Sequence, residues 1–295
     1  MRGRSPQIAV MIEGTRTLRP MEPLLVHDLF PPLHGELIAL LRGLRNDDWA
    51  RPTLCALWSV RDIAAHLLDD DLRRLSFHRD GHRLPRVPRD ASEPALVEFI
   101  NALNAEWVTA ARRLSPRVIT DLLDITGPQV AALFASLDPF GPAHFPVSWA
   151  GEDQSANWFD IGRDYTERWL HQQQIRVAVG APGLLEPRWL GPVLDLFIRA
   201  LPHTYRSVDR TTGTAITVHI TGDAGGRWTL LRESGRWRLF QGILPDAAAA
   251  VTMSADTAWR LFSKALTTDT DRAGIAISGD RTLGARILGT LGIIA

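Results

Sequence analysis

The sequence predicts a multidomain α+β protein, an antiparallel four-helix bundle followed by a smaller α+β domain. Up to residue 180, apolar side chains recur at the three- and four-residue spacing of amphipathic helices. After Ala181-Pro182-Gly183 the pattern changes to alternating apolar and polar residues, as at 216–220, which is typical of strands. We therefore expect a disordered leader, a bundle and an α+β domain, at residues 1–20, 21–182 and 183–295 respectively.

The composition is that of a soluble globular protein. Of 295 residues, 45% are hydrophobic and 22% charged, and 33 basic residues balance 33 acidic ones. Zero net charge argues against nucleic acid or an anionic membrane as a partner, because both are bound through excess Lys and Arg, and no apolar run approaches the ~20 residues that span a bilayer. Cys55 is the only cysteine, so we interpret it as a small buried filler and expect a cytoplasmic location. We expect a monomer or homodimer.

The first two helices follow from periodicity, caps and breakers. Leucines at helical spacing predict a helix from Pro23 to about Arg45, which Pro31-Pro32 interrupts. Ser59, with Asp62 three residues later, is close to a capping box. It starts a second helix that runs to roughly Arg79 and stops before a glycine.

The remaining bundle helices are predicted in the same way. A third helix is expected at about 94–114 and a shorter one near 117–137. The last bundle helix spans about 157–179 and ends at Gly180, a residue type that favours the left-handed conformation of a C-cap.

The α+β domain begins with a helix and continues with strands. The turn Glu233-Ser234-Gly235 between two strand patterns predicts a hairpin, and Asp256 is the expected cap of a helix with Trp259, Phe262 and Leu266 on one face. The expected order is helix 187–202, strands 216–220, 228–231, 237–240 and 248–253, the helix after Asp256, strand 274–277 and helix 280–291.

Three residues of the bundle predict a metal site. Glu167 and His171 lie four residues apart, about 40° around a helix of ~3.6 residues per turn, so both side chains can reach one point. The apolar neighbours of His66 place it toward the bundle interior. Two neutral imidazoles and one carboxylate leave coordination positions open, as in catalytic zinc sites. We therefore predict that His66, Glu167 and His171 hold a divalent metal, Zn²⁺ first, with Ni²⁺, Co²⁺, Mn²⁺ or Fe²⁺ as alternatives.

Other ionisable residues surround this set. Asp164 shares the helix face of the second histidine and is the rival carboxylate. Asp62 and Asp70 lie four residues before and after the first histidine, and either can orient its ring, although solvated surface acids are the favoured interpretation. His78 and His82 repeat the four-residue spacing, but the glycine between them indicates a helix end, so we expect no second metal site.

At these residues the chain resembles a known family. Residues 52–55, followed by residues 58–62 and His66, are similar to the start of the second helix in DinB-like, mycothiol-dependent maleylpyruvate isomerase proteins. Residues 167–176 are similar to their last bundle helix, and the C-terminal half resembles the sterol-carrier-like α+β domain that often follows this bundle. The resemblance covers roughly residues 21–295.

The resemblance implies a His/Glu/His metal site that matches His66, Glu167 and His171 one by one. It also implies an enzyme that uses mycothiol or another low-molecular-weight thiol, as an isomerase of maleylpyruvate through a thiol adduct or, more generally, as an S-transferase. Many members carry Asp three residues after the second histidine, where this chain has Gln174. Maleylpyruvate is therefore not carried over as the substrate, and we expect a small electrophile.

In the expected mechanism, the thiol bound to the metal as thiolate adds to an electrophilic carbon. Arginines of the C-terminal domain would pair with substrate carboxylates, although surface solvation is the favoured role of each candidate, Arg236, Arg238, Arg281 and Arg286. Two alternatives stay open: a non-catalytic protein that binds a metal or small ligand, and a hydrolase that uses metal-bound water.

Overall fold

A computed structural model describes residues 18–82, 93–266 and 273–293, and these divide into two compact units. Among the described residues, the helical unit contains those from 24 to 196 and Ile293, and the sheet unit contains residues 18–23 and those from 197 to 292. The boundary expected at 182/183 therefore differs from the packing. Residues 183–196 belong to the helical unit, and within it Tyr165 donates a hydrogen bond to the carbonyl of Trp189, at 3.0 Å.

Six helices of the helical unit fall within the described residues. They are α1 Phe30–Gly43, α2 Val60–Arg73, α3 Glu93–Ala111, α4 Pro116–Ser136, α5 Asn157–Val179 and α6 Pro187–Ile198, the last of which continues into the sheet unit. A π-helical turn, Arg74–Arg79, extends α2. The apolar core of the helical unit is built mainly from leucines and isoleucines of α1, α2, α4 and α5.

The ends of these helices follow local chemistry. The first helix starts at Phe30 rather than Pro23, with its prolines in the first turn, where a missing N–H is tolerated. The capping box of α2 is confirmed, since Ser59 and Asp62 each accept a hydrogen bond from the backbone N–H of the other. The C-cap of α5 is also confirmed, because Gly180 has a φ of +71°.

Helix α4 differs from its prediction. It has 21 residues against 19 in α3, so the expectation of a shorter helix is wrong. Within the described residues it is also the one helix long and apolar enough to cross a membrane, which the search for apolar runs missed. Because 44% of that stretch is buried inside the structure, and core helices of soluble proteins pass the same test, this is weak evidence for a span.

The sheet unit carries a six-stranded sheet in the order β1-β4-β3-β2-β5-β6. Strands β2 and β5 are parallel, and the other neighbours are antiparallel. The strands are β1 Arg19–Pro20, β2 Ala215–Thr221, β3 Gly226–Glu233, β4 Arg236–Gln241, β5 Ala249–Ser254 and β6 Ala276–Gly279, and the helices are α7 Leu201–Thr204, α8 Ala255–Phe262 and α9 Arg281–Ala285.

Most predicted elements of this unit are present, with three corrections at their ends. The β3–β4 hairpin is confirmed, and its turn residues Ser234 and Gly235 both have positive φ, as a tight hairpin turn requires. The cap of α8 is Ser254 rather than Asp256, and the helix ends before Leu266. The predicted last helix, 280–291, is the short α9 followed by a 3₁₀ turn.

The N-terminal segment also differs from the expectation. Arg19 and Pro20 pair with β4, and Leu18 is buried against Ala215, Leu231 and Phe240. These last residues of the expected disordered leader therefore belong to the sheet, and residues 1–17 lie outside the described residues.

Candidate metal centre

Three side chains from two helices distant in the chain meet between α2 and α5. One ligand atom each from His66, Glu167 and His171 lies within 4.8 Å of the others. The two imidazole rings are 4.7 Å apart at their centroids and nearly perpendicular, at 83°. Glu167 Oε2 is 3.3 Å from His171 Nε2. In the described part of the chain, this is the one cluster of His, Cys, Asp and Glu arranged to hold a metal ion.

The chemistry of this cluster fits a divalent cation. Both histidines are buried, with 5% and 7% of their surface exposed, whereas the Glu167 side chain is 23% exposed and reaches solvent. The Nδ1 atom of His66 is buried and has no hydrogen-bond partner. A buried polar atom without a partner is costly, and two imidazoles with one carboxylate form a donor set that zinc and related cations accept.

Two further side chains hold the imidazoles. Gln174 is buried on α5, and its Oε1 lies 2.9 Å from His171 Nδ1. This contact favours a proton on Nδ1 and leaves the Nε2 lone pair toward Glu167. On α2, Asp70 Oδ2 lies 3.4 Å from His66 Nε2, with only 17% of its side chain exposed. The favoured interpretation of Asp70 as a solvated surface acid is therefore wrong.

The other flanking acid has a different role. Asp62 completes the capping box and accepts a hydrogen bond from Arg112, at 3.1 Å. Asp62 and Asp70 both lie four residues from His66, so sequence spacing alone does not indicate which of them contacts the imidazole. Asp62 lies in the first turn of α2, where a carboxylate can satisfy free backbone N–H groups.

The environment shifts the two histidine pKa values in opposite directions. Burial disfavours the charged imidazolium of His66 and lowers its pKa to about 4, against the opposing charge of Asp70. Burial also acts against the charged form of His171, but its hydrogen bond to Glu167 and the charges of Glu167 and Asp70 outweigh burial and raise its pKa. His66 is thus neutral at pH 7, the form in which an imidazole can donate a lone pair.

An aromatic side chain lies against both imidazoles. The ring centroid of Trp58, just before α2, is 4.7 Å from that of His66 and 6.0 Å from that of His171. Trp58 is half-buried, so it shields the histidines from water on one side. In the sequence, Trp58 stands out only as part of the family pattern, and its contact with the histidines was not predicted.

A buried network of ion pairs continues from the cluster along the same two helices. Arg168 of α5 pairs with Asp71 of α2 and, at 3.2 Å, with Asp164. Arg74 pairs with Asp160 through two bonds of 2.8 and 2.9 Å and with Asp164 at 3.4 Å. Asp164, the rival carboxylate, is therefore neutralised by arginines and lies outside the metal cluster.

This network of ion pairs was not predicted from the sequence. Its signal was the four-residue spacing of Asp160, Asp164 and Arg168, which places opposite charges on one face of α5. Arg168 on α5 pairs with a carboxylate of α2, and Arg74, just after α2, pairs with two carboxylates of α5. These ion pairs between the helices set the register of α2 against α5. That register brings His66 opposite His171.

The remaining sequence candidates lie apart from the cluster. His78 stacks on His144 at 5.2 Å and His82 on Phe77 at 6.4 Å, and neither belongs to a metal-ligand group within the residues described. Cys55 is half-buried beside the apolar core, and burial raises the pKa of its thiol, which keeps it protonated. The four candidate arginines of the sheet unit are exposed, namely Arg236, Arg238, Arg281 and Arg286.

Comparison with known proteins identifies the family. Residues 30–176, which include all three predicted ligands, match the model of the mycothiol maleylpyruvate isomerase N-terminal domain. The chain belongs to this family. A search of curated protein sequences gives no match.

Solved structures of the mycothiol-dependent maleylpyruvate isomerase share the fold. The crystal structure of that enzyme superposes with a TM-score of 0.52 and that of a single-residue mutant with 0.51, each at 13% sequence identity. Each comparison covers 85% of this chain and 91% of the other. The predicted α+β fold class is thereby confirmed.

Proposed function

We propose that the protein is a metal-dependent enzyme that uses a low-molecular-weight thiol, mycothiol or a relative of it, either to isomerise a small electrophilic substrate or to transfer the thiol sulfur to it. The observation that carries the proposal is the meeting of His66, Glu167 and His171 around one point inside the helical unit. Membership of the maleylpyruvate isomerase family supports the thiol chemistry. Zn²⁺ is the proposed cation, because two imidazoles and one carboxylate are a catalytic zinc donor set.

A bound divalent cation supplies Lewis acidity, which lowers the pKa of a coordinating thiol and of a substrate oxygen. The protein supplies orientation and exclusion of water. Gln174 holds the His171 ring, and Trp58 covers both imidazoles. Because the Glu167 side chain is 23% exposed, thiol and substrate would approach the site from its side.

Addition of the thiol to the substrate's carbon–carbon double bond, followed by its elimination, accounts for isomerisation without any redox step. The thiol sulfur bonds to one carbon of an activated double bond, and a proton goes to the conjugated position. The carbon–carbon bond is now single and rotates. Loss of the proton and the sulfur restores the double bond in its other geometry and regenerates the thiol. Without elimination the same first step is an S-transfer.

Elemental analysis of the purified protein beside His171→Ala tests the site. We expect stoichiometric metal in the wild type and its loss in the variant. Full metal content in the variant would refute the proposal that His171 is a metal ligand. Turnover of maleylpyruvate or an electrophilic probe is then measured with and without mycothiol. Thiol-dependent turnover supports the proposal, whereas hydrolysis without thiol indicates a metal-water hydrolase. No turnover with any thiol in the metal-loaded protein indicates a binding protein.

The cellular setting is part of the same proposal. We propose a cytoplasmic protein, monomeric or homodimeric, with a thiol and a small molecule as its partners, since a single cysteine and zero net charge fit that setting.

A further inference from the structure

The indole of Trp58 lies against the metal centre and keeps part of its surface open. Its ring centroid is 4.7 Å from that of His66 and 6.0 Å from that of His171, and its plane is tilted by 43° and 42° to theirs. Trp58 packs against the apolar core, but it is only half-buried. Because the indole is one rigid plane, its exposed part lies beside the same two imidazoles.

The indole N–H of Trp58 is also unused. It makes no hydrogen bond within the described residues, and solvent reaches it. By contrast, the indole N–H groups of Trp107, Trp169 and Trp237 each donate to a backbone carbonyl, at 2.7–2.9 Å. Trp58 therefore offers an aromatic surface and a hydrogen-bond donor next to the metal centre.

The backbone fixes this indole in its place. The Trp58 N–H donates to the carbonyl of Cys55 at 2.9 Å, and its carbonyl accepts a bond of 2.8 Å from the hydroxyl of Thr53. Pro52 and Ser59 form a β-bridge that closes the loop, and Ser59 caps α2. A side chain on so constrained a backbone needs little ordering when a ligand binds, which favours affinity.

We propose that Trp58 is the specificity-determining residue of the centre, a stacking surface that selects planar electrophiles, conjugated or aromatic, over saturated ones. This inference rests on the proposed function, which brings an electrophile to the metal centre. An activated double bond or ring is flat and electron-poor, whereas the face of an indole is electron-rich, so the two stack favourably with an offset. A saturated electrophile gains no such contact.

Trp58 acts on the substrate and not on the cation. His66, Glu167 and His171 remain the three protein ligands, and the coordination position for the thiol stays open. The indole N–H donates to a carbonyl or nitro oxygen of the stacked molecule, which fixes the orientation of its reactive carbon.

Binding of a flat, unreactive probe tests this role without turnover. Meta-dinitrobenzene has an electron-poor ring and nitro oxygens but no leaving group, so its Kd is measured by equilibrium dialysis, with and without Zn²⁺. We expect Trp58→Leu to raise this Kd about tenfold. The matched control is Leu57→Ala, which changes an 86% exposed side chain of the same loop and should bind as the wild type does. Equal Kd values for Trp58→Leu and the wild type would overturn the inference.

Two reactive probes separate selectivity from support of the imidazoles. With mycothiol as the thiol, chlorodinitrobenzene loses chloride and methyl iodide loses iodide. In both reactions the sulfur forms the new bond to carbon and the thiol proton goes to the buffer. We expect Trp58→Leu to lower kcat/KM for the arene about tenfold and to leave that for methyl iodide unchanged. Equal losses for both probes would overturn the inference, because Trp58 would then act only through the histidines.

A second variant covers the case in which Trp58→Leu does not fold. Trp58→Phe keeps a smaller ring but loses the N–H, so it should raise the Kd of meta-dinitrobenzene about threefold, and an unchanged Kd would overturn the inference. Absence of thiol-dependent turnover of both reactive probes in the wild type would instead refute the proposed function. The dialysis result needs neither metal nor thiol and still decides the role of Trp58.

Discussion

Removal of the Gln174 amide is expected to weaken metal binding without unfolding the protein. In Gln174→Leu the side chain keeps its approximate size but loses the oxygen that lies 2.9 Å from His171 Nδ1. In the metal-free variant the imidazole can carry its proton on Nε2, toward Glu167. With a cation on Nε2 the proton must stay on Nδ1, buried and without an acceptor.

The magnitude follows from that asymmetry. A buried donor left without a partner costs about 1–3 kcal/mol, and here the cost falls on the metal-bound state alone. Since about 1.4 kcal/mol corresponds to a tenfold change in an equilibrium constant, the metal Kd should rise about 10- to 100-fold. This range is also what loss of a partner of a metal-bound histidine produces in other proteins.

The assay is competitive titration of Zn²⁺ or Co²⁺ against a chelator at pH 7, with Gln173→Leu as the matched control. Gln173 is also buried on α5, but its Oε1 accepts a hydrogen bond from the backbone N–H of Leu184, at 3.0 Å. The control should lower stability and keep the wild-type Kd. Equal affinities of Gln174→Leu and the wild type would refute the reasoning.

Three further predictions concern stability. Gly127→Ala should destabilise the protein by about 1–3 kcal/mol in denaturant unfolding, because its Cβ would lie 2.1 Å from the imidazole of His34, whereas Gly35→Ala has free space and should be neutral or stabilising. Arg74→Met should cost about 3 kcal/mol, because Asp160 stays buried and keeps only Arg163, and a loss below 1 kcal/mol would contradict this. Burial raises the pKa of Asp69 from 3.8 to about 6, although the charge of Arg73 acts in the opposite direction. Between pH 3.8 and pH 6 the native state therefore binds more protons than the unfolded state, and the free energy of unfolding falls as the pH rises. Asp69→Asn removes this loss and should stabilise the protein by about 3 kcal/mol at pH 8 but not below pH 4, as two urea titrations would show.

The sequence predicted those parts of the helical unit that depend on neighbouring residues. The start of α2 follows from Ser59 and Asp62, and the end of α5 from Gly180, because caps are local hydrogen bonds and local backbone geometry. The four-residue offset of Glu167 and His171 is local in the same sense. The structure places His66 beside them, and their role as metal ligands stays a proposal.

The parts that depend on distant partners could not be read in this way. Asp71 and Arg168 look like solvated charges in the sequence. Both are buried in the structure because they form an ion pair between facing helices, although they lie 97 residues apart in the chain. Asp62 and Asp70 have the same offset from His66, and only the packing of the helices decides which one faces the cluster. Periodicity reports which face of a helix is apolar but carries no information about charge pairing between helices.

The short strand β1 gives the chain an inserted topology. Arg19 and Pro20 close the outer edge of β4, while the next strand, β2, begins about 195 residues later, so residues 24–196 of the helical unit are inserted between two segments of the sheet unit. A fragment that begins at residue 183 would lack Leu18, which packs against Ala215, Leu231 and Phe240, and would lack β1. The backbone of β4 would then be exposed and free to pair with other chains. Recombination that exchanges the two units therefore needs two junctions, one near residue 23 and one near residue 197.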